Sequence, residues 1–494
     1  MTGPLQGRHV RVAVIGAGFA GIGAAIRLAR SGEDSFLVLE QAEEVGGTWR
    51  DNTYPGVACD IPSHLYSFSF APKSGWRRRF APGAEIRQYL RDCAQEVSGH
   101  IRRSTRMLSA AWEEAPGHWR VATSAGSLTA SVLVLASGRF SRPSLPEVPG
   151  LVTFPGPVCH TARWNPEIIP EGLRIGVVGS GASAVQTAPA LAAQGAQVTV
   201  FQRSAPWIVP KEDAVYDAAQ RRRFAVDGTA RAEHRRTIFE ELDAGFEARI
   251  LGTAAHASLR RRAQEHLHRH IPRGPLREAL TPDYAAGCKR VLLSDDFYPA
   301  VASGTVSVEP SPPGSVLGRR LRATSGRSYE LDALVFATGF DASSPAFASA
   351  VFGRGGESLA EHWAGGMVSY ASTAVSGFPN CLILGGPNAA LGHNSAVAML
   401  ETQFDHLLST LRRVPEGTVW EVLPEAEEQY TRMIDQRAAA TAWMSPGCSS
   451  WYRDGGTGRL TLLWPGTATE YRRRYSAFRP ERFALTRAAE EVRP

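Results

Sequence analysis

Two glycine-rich turns, each set between a strand pattern and a helix pattern, constrain this chain more than any other feature. Residues 10–15 are apolar except for Arg11, close to the pattern of a strand buried on both faces of a parallel sheet. Gly16-Ala-Gly18-Phe-Ala-Gly21 follows as a turn. Residues 22–30 then have helical periodicity, and residues 35–39 read as a strand ending in Glu40. The unit recurs as a strand at 174–178, the turn Gly179-Ser-Gly181-Ala-Ser-Ala184, a helix at 185–193 and a strand at 197–201. A lone Gly-x-Gly-x-x-Gly is a weak signal, but one inside a βαβ unit of about 30 residues is a strong one. Its glycines let the backbone approach a pyrophosphate, and the helix N-terminus stabilises the negative charge. Two such units predict an α/β chain with two dinucleotide-binding, Rossmann-like domains whose nucleotides must meet.

The ends of the second strands differ in charge. Glu40 is placed to accept hydrogen bonds from ribose hydroxyls. The second unit has Gln202-Arg203-Ser204 at that place, with no acid. A carboxylate there would repel a 2′-phosphate, whereas arginine binds one through charge-assisted hydrogen bonds. The second nucleotide is therefore expected to be NADPH, read by Arg203 and Ser204.

The 494 residues suffice for two to four domains, and the +6 net charge is modest for that length. No basic stripe with interleaved aromatics appears, so no nucleic-acid partner is expected. Lys73, Lys211 and Lys289 are the only lysines in an arginine-, alanine- and glycine-rich chain, a composition that fits a GC-rich bacterial genome. The six cysteines are scattered without a C-x-x-C pair, which argues against a disulfide framework, a zinc ribbon or a redox dithiol. A cytoplasmic, reducing setting follows as the expectation. No segment has the length of a membrane span. The uncharged run 12–26 reads as strand, turn and helix rather than a signal-peptide core.

Residues 217–280 are arginine-rich and mostly helical in composition, with breaks at Gly228, Gly252 and Pro272. They read as a helical insertion into the second nucleotide domain. Within them His266-x-His268-x-His270 is expected to lie on a solvated basic helix and to hold no metal. Residues 133–135 end in Ala136-Ser137-Gly138, and a strand at 331–336 ends in Ala337-Thr338-Gly339. These small-residue turns are similar to crossings between the two domains of two-dinucleotide flavoproteins. The first domain is thus expected to be discontinuous, with 1–145 and 335–494 flanking a second domain at 146–334.

Between the fingerprints lies Phe154-x-Gly156-x-x-x-His160-x-x-x-Trp164. This spacing resembles the fingerprint of the Baeyer–Villiger monooxygenases, class B flavoproteins that use FAD, NADPH and O2 on a ketone. Asn165 stands where that family usually has Pro or Asp, and asparagine turns the chain in much the same way. Gly46-Gly47-Thr48-Trp49 followed by Tyr54-Pro55-Gly56 and Asp60 resembles a second signature of the family, and Gly287-Cys288-Lys289-Arg290 a third. The resemblance covers nearly the whole chain. It implies FAD held by Gly16, Gly18, Gly21, Glu40, Gly47, Thr48, Trp49, Asp60 and Tyr66. It implies NADPH held by Gly179, Gly181, Ala184, Arg203, Ser204, Lys289 and Trp451, the last through its indole N–H. Residues 386–395, before a helix, are similar to a second FAD-contacting turn.

The resemblance also implies the chemistry. Arg290 would stabilise a C4a-peroxyflavin anion, and Asp60 would orient Arg290. The product would be an ester or lactone made from a small-molecule ketone and O2, with no membrane partner. The specific ketone and the oligomeric state are open at this point. A flavin monooxygenase oxidising nitrogen or sulfur shares both cofactor sites and is the alternative. A pyridine-nucleotide disulfide oxidoreductase lacks its C-x-x-C partner here, and a non-catalytic nucleotide sensor would not need the matched Asp60 and Arg290.

Overall fold

The computed structural model describes residues 5–487 and builds the chain around two large sheets, one mixed and one parallel. The Arg8–Ile15 strand pairs in parallel with Phe36–Leu39 on one side and Gly126–Leu135 on the other. Alternate side chains of these strands enter two separate cores, as a strand period of two requires. Val12, Val14, Phe36, Val38, Val132 and Val134 face one core, against the Phe19–Arg30 and Ala396–Arg413 helices. Ala13, Ile15, Leu37, Leu39, Leu133 and Leu135 face the other, with Trp119, Trp443 and Tyr452. The apolar run 12–15 thus follows from burial on both faces, and Arg11 before it is only half-buried.

The Gly126–Leu135 strand also closes an antiparallel meander with Met107–Glu113 and His118–Thr123. Its C-terminal end takes Cys381–Ile383 as a parallel partner, which brings the late part of the chain into the first sheet. Val351–Phe352 joins the far edge of the same sheet.

The second sheet is parallel throughout, in the order Val306–Glu309, Gln197–Phe201, Arg174–Val178, Ala333–Phe336 and Val158–His160. Residues 158–336 therefore form it between two visits to the first sheet. The Arg174–Val178 and Gln197–Phe201 strands match the sequence expectation in both bounds. The helices between the strands start earlier than periodicity suggests, at Phe19 and Ala182, because the second turn glycine, Gly18 or Gly181, takes the N-cap position.

The insertion is helical, as Ala218–Val226, Gly228–Ala244, Ala254–His270 and Pro275–Ala279. Asp227 and Thr253 cap the second and third of these through their side chains. His266 corrects the expectation of a solvated histidine run. It is buried, its Nε2 lies 2.9 Å from the Ser294 carbonyl, and its ring packs on Tyr298. No group of three or more potential metal ligands occurs among the described residues. Among the same residues no helix is long and apolar enough to cross a membrane.

The cysteine expectation is also corrected. Cys288 and Cys448 form a disulfide with a Cα–Cα distance of 5.7 Å. Spacing does not reveal the pair because 160 residues separate the two cysteines, and only the fold brings them together. The cysteine-based inference of a reducing compartment loses its footing with it. Cys59, Cys93, Cys159 and Cys381 are unpaired.

Candidate active site

The two glycine turns have the same internal construction. A Cβ on Gly16, at φ +107°, would lie 2.7 Å from the Ala136 carbonyl oxygen. One on Gly179, at φ +119°, would lie 2.4 Å from that of Ala337. Each first glycine thus packs on the small-residue crossing at the end of its neighbouring strand. Neither helix that follows has a side-chain cap, so its first N–H groups are left to an anion. Nothing lies within 4 Å of a Cβ built on Gly181, whereas Gly18 faces the backbone of Gly47 across a narrow gap. Ala184 takes the third place of the second turn, fully buried. These cradles fit the diphosphates of two dinucleotides.

Glu40 is buried, and its carboxylate accepts the Ala17 N–H at 2.8 Å and the Ala42 N–H at 3.0 Å. Arg50 adds an ion pair at 2.9 Å. The acid at the strand end therefore also braces the first turn. Gly47 leads into the short Thr48–Asp51 helix, and Trp49 donates its indole N–H to the Tyr66 hydroxyl at 3.3 Å. The two rings meet edge to face, so Trp49 and Tyr66 hold each other beside the first turn.

The segment after Trp49 docks on the other nucleotide unit. Tyr54 donates to Gln186 Oε1 at 3.1 Å, Gln186 donates back to the Ala58 carbonyl at 3.0 Å, and Thr187 donates to the Pro55 carbonyl at 3.0 Å. Gln186 and Thr187 belong to the Ala182–Ala192 helix and were missed by sequence reasoning. As lone polar residues in a helix they carried no local signal.

Lys289 Nζ donates to Ser204 Oγ at 2.7 Å and sits 4.5 Å from the centre of the Tyr284 ring. Burial lowers the Lys289 pKa, and the nearby Arg203 lowers it further. Two cations brought together with a hydroxyl, at the end of the Gln197–Phe201 strand, fit a 2′-phosphate. A charge-assisted contact of this kind contributes about 1.5–3 kcal/mol. Arg203→Ala is therefore expected to raise the KM for NADPH roughly tenfold to a hundredfold, with little change for NADH. Steady-state kinetics with both nucleotides checks this, and equal losses with both would remove Arg203 from phosphate recognition.

Arg290 and Asp60 meet from 230 residues apart. Arg290 Nε and Nη2 both lie 2.6 Å from Asp60 Oδ2. The Asp60 carboxylate pushes the Arg290 pKa still higher than its usual value, so the guanidinium is charged at every working pH. Both side chains keep partial exposure, at 31% and 27%, so the pair faces an accessible space. Tyr452 lies beside it, buried, with a phenol pKa raised by burial and eased by the Arg290 charge. The Cys288–Cys448 disulfide ties the 287–290 segment to the loop that carries Tyr452.

Trp451 and His160 lie at the crossing between the sheets. Trp451 is 44% exposed and meets Phe140 edge-on at 5.6 Å, at the crossing between the sheets. His160 is buried at the end of its strand, with Nδ1 accepting the Ala162 N–H and the ring against Phe340. The sequence fingerprint at 154–164 thus marks the crossing rather than the Asp60–Arg290 centre. The late turn does precede a helix, Ala396–Arg413, capped by Ser395.

The family model described as pyridine nucleotide-disulphide oxidoreductase matches residues 13–225, the span that holds both glycine turns. A Baeyer–Villiger monooxygenase of Streptomyces coelicolor is 41% identical over 94% of this chain and 90% of its own length. Another, of Pseudomonas aeruginosa, is 38% identical over 98% of this chain and 93% of its own. The crystal structure of cyclohexanone monooxygenase from Rhodococcus sp. Phi1 bound to NADP+ superposes with a TM-score of 0.84 at 28% identity, covering 98% of this chain and all of that one. With paired glycine turns, the Lys289–Ser204 contact and the Asp60–Arg290 pair in one fold, the chain belongs to the Baeyer–Villiger monooxygenases, flavoproteins that use FAD, NADPH and O2 to turn a ketone into an ester or lactone.

Proposed function

We propose that the Asp60–Arg290 pair is the reaction centre and that Arg290 is the residue that makes oxygen insertion possible. The observation that carries this reading is the double contact of Arg290 Nε and Nη2 with one carboxylate oxygen at 2.6 Å. It fixes the plane of the guanidinium, so a charged fork is held in place before any substrate arrives. A preorganised cation stabilises negative charge developing on oxygen without reorganisation during the reaction. Asp60 is the positioning residue of the pair.

Bound FAD supplies the redox chemistry, taking two electrons from NADPH and activating O2. The first glycine turn, Glu40 and the Gly47–Trp49 segment would hold it, and the second turn with Arg203, Ser204 and Lys289 would hold NADPH. The Tyr54–Gln186 and Thr187–Pro55 contacts set the distance between the two nucleotide units. Buried Tyr452 and the disulfide-tied loop flank Arg290 on one side, while its other side faces the accessible space. A cofactor and ketone filling that space would exclude water and strengthen the pull of Arg290 on the oxyanion that forms when the carbonyl is attacked.

NADPH dependence fits a cytoplasmic setting, and the reactants are a small-molecule ketone and O2. Product analysis with 18O2, NADPH and a panel of linear, cyclic and aryl ketones tests the reading. The expected product is an ester or lactone carrying one labelled oxygen, formed in equal amount to NADPH consumed. Oxygenation of amines or thioethers alone, with no ketone converted, would transfer the site to heteroatom oxidation.

A further inference from the structure

We infer that Arg249 determines specificity at this site and that the ketone taken by this enzyme carries a carboxylate. The inference rests on the assignment of Asp60 and Arg290 to the reaction centre.

Arg249 ends the short Glu247–Arg249 turn of the helical insertion. The turn is pinned to the late part of the chain, since the Leu251 N–H donates to the Ala440 carbonyl at 3.0 Å. One edge of the guanidinium is fixed, with Nε and Nη2 donating to the Gly392 carbonyl at 3.3 and 3.0 Å. The Arg249 stem runs along Gly287, where a Cβ would come within 3.3 Å of Arg249 Cδ. Gly287 is three residues before Arg290, so the insertion delivers a second cation to the segment that carries the first.

The two cations are treated differently by the fold. Arg290 has Asp60 as its counter-ion. Arg249 has no acidic side chain within ion-pair distance among the described residues; its partner is the Gly392 carbonyl. Burial lowers its pKa to about 10, Tyr452 opposes that fall and the Arg290 charge adds to it, so it stays charged at neutral pH. Arg249 is half-buried, and a guanidinium in that position without a counter-ion can take up an anion through charge-assisted hydrogen bonds. Nη1 makes no hydrogen bond to the protein, which leaves one edge of the fork to an incoming anion.

A second donor without a partner stands at the same place. Trp443 is fully buried and its indole N–H is unpaired. A Cβ on Gly392 would lie 3.0 Å from Cζ2 of that indole and 3.7 Å from Arg249 Nε, so ring and guanidinium flank one glycine. Phe246, on the same turn as Arg249, lies 6.4 Å from the Trp443 ring. A cation and an N–H donor beside two aromatic faces suit a molecule with an apolar body and a carboxylate end.

The other anions of the reaction have their own sites. The two diphosphates face the glycine turns, and the 2′-phosphate faces Arg203, Ser204 and Lys289. Arg249 belongs to neither set, which leaves the ketone as the source of the anion.

The test uses the FAD-loaded enzyme and a homologous series of oxo acids differing in chain length, each paired with its methyl ester. Equilibrium binding to the oxidised enzyme, where no turnover occurs, is read by quenching of tryptophan fluorescence, and kcat/KM is measured separately. The acid is expected to bind roughly tenfold to a hundredfold more tightly than its ester at the best chain length. Arg249→Met is expected to collapse that ratio, and Arg249→Lys to restore part of it. An enzyme that binds acid and ester equally overturns the inference, while conversion of the esters leaves the reaction centre standing. A loss in Arg249→Met that is equal for acid and ester, with slowed flavin reduction, overturns it by assigning Arg249 to the cofactor. If no ketone is oxygenated the reaction-centre reading fails, and the binding ratio alone then decides the role of Arg249.

Discussion

Arg290→Ala should bind FAD and NADPH, consume NADPH, and make almost no ester. The substitution removes the positive charge beside the reacting oxygen and leaves the Asp60 carboxylate without its partner. A stabilising cation is thereby exchanged for an uncompensated negative charge. Loss of one preorganised donor to a developing oxyanion typically costs on the order of 10²–10³ in rate, and the exposed carboxylate adds repulsion to that. Arg290→Lys should recover little, because an ammonium is a point charge and cannot make the two contacts that fix the guanidinium plane. Ester yield per NADPH, hydrogen peroxide release and flavin content measured on the same preparations separate this outcome from unfolding. Ester made at the wild-type rate by Arg290→Ala would end the assignment of the reaction centre.

Paired substitutions in the glycine turns should divide folding from cofactor recognition. A Cβ on Gly21 would fall 1.8 Å from the Gly16 carbonyl oxygen. That oxygen has no room to move, because the Gly16 N–H is held by the Leu39 carbonyl at 2.8 Å and Gly16 itself abuts Ala136. Gly21→Ala is therefore expected to destabilise the first unit by more than about 2 kcal/mol and to yield protein nearly free of FAD. Gly181→Ala meets nothing within 4 Å and has φ −78°, which any residue adopts. It should fold and retain FAD. Its methyl group enters the space assigned to the NADPH diphosphate, so the KM for NADPH should rise about tenfold or more. Flavin-to-protein ratios and NADPH kinetics on the two variants provide the check. Normal flavin content in Gly21→Ala, or wild-type NADPH use by Gly181→Ala, would contradict the geometry.

The nucleotide units were legible because their information is local. An apolar strand, a glycine turn and a periodic helix lie within one short stretch, and backbone sterics at Gly16 and Gly179 leave little choice of conformation. The absence of an acid after Phe201 suggested a 2′-phosphate site, and the fold brings Lys289 onto Ser204 at that place. Asp60 and Arg290 were legible only through resemblance, since nothing in either segment alone specifies a partner 230 residues away.

Where local reading failed, a neighbour from elsewhere in the chain had intervened. His266 looked solvated because its helix is basic, but the carbonyl of Ser294 and the ring of Tyr298 come from beyond the insertion and bury it. Cys288 and Cys448 looked unpaired because no spacing rule connects them. Arg249 looked like one arginine among many in a basic helical stretch. The sequence by itself determined the two nucleotide units and the charge that distinguishes them, because strand, turn and helix are chosen by short-range sterics and apolar periodicity. Tertiary structure alone decided which distant groups became partners: Asp60 with Arg290, Cys288 with Cys448, and Arg249 with a carbonyl but no carboxylate. The physical reason is that pairing and desolvation of a charge depend on what packs around it in space, and chain order does not encode that directly.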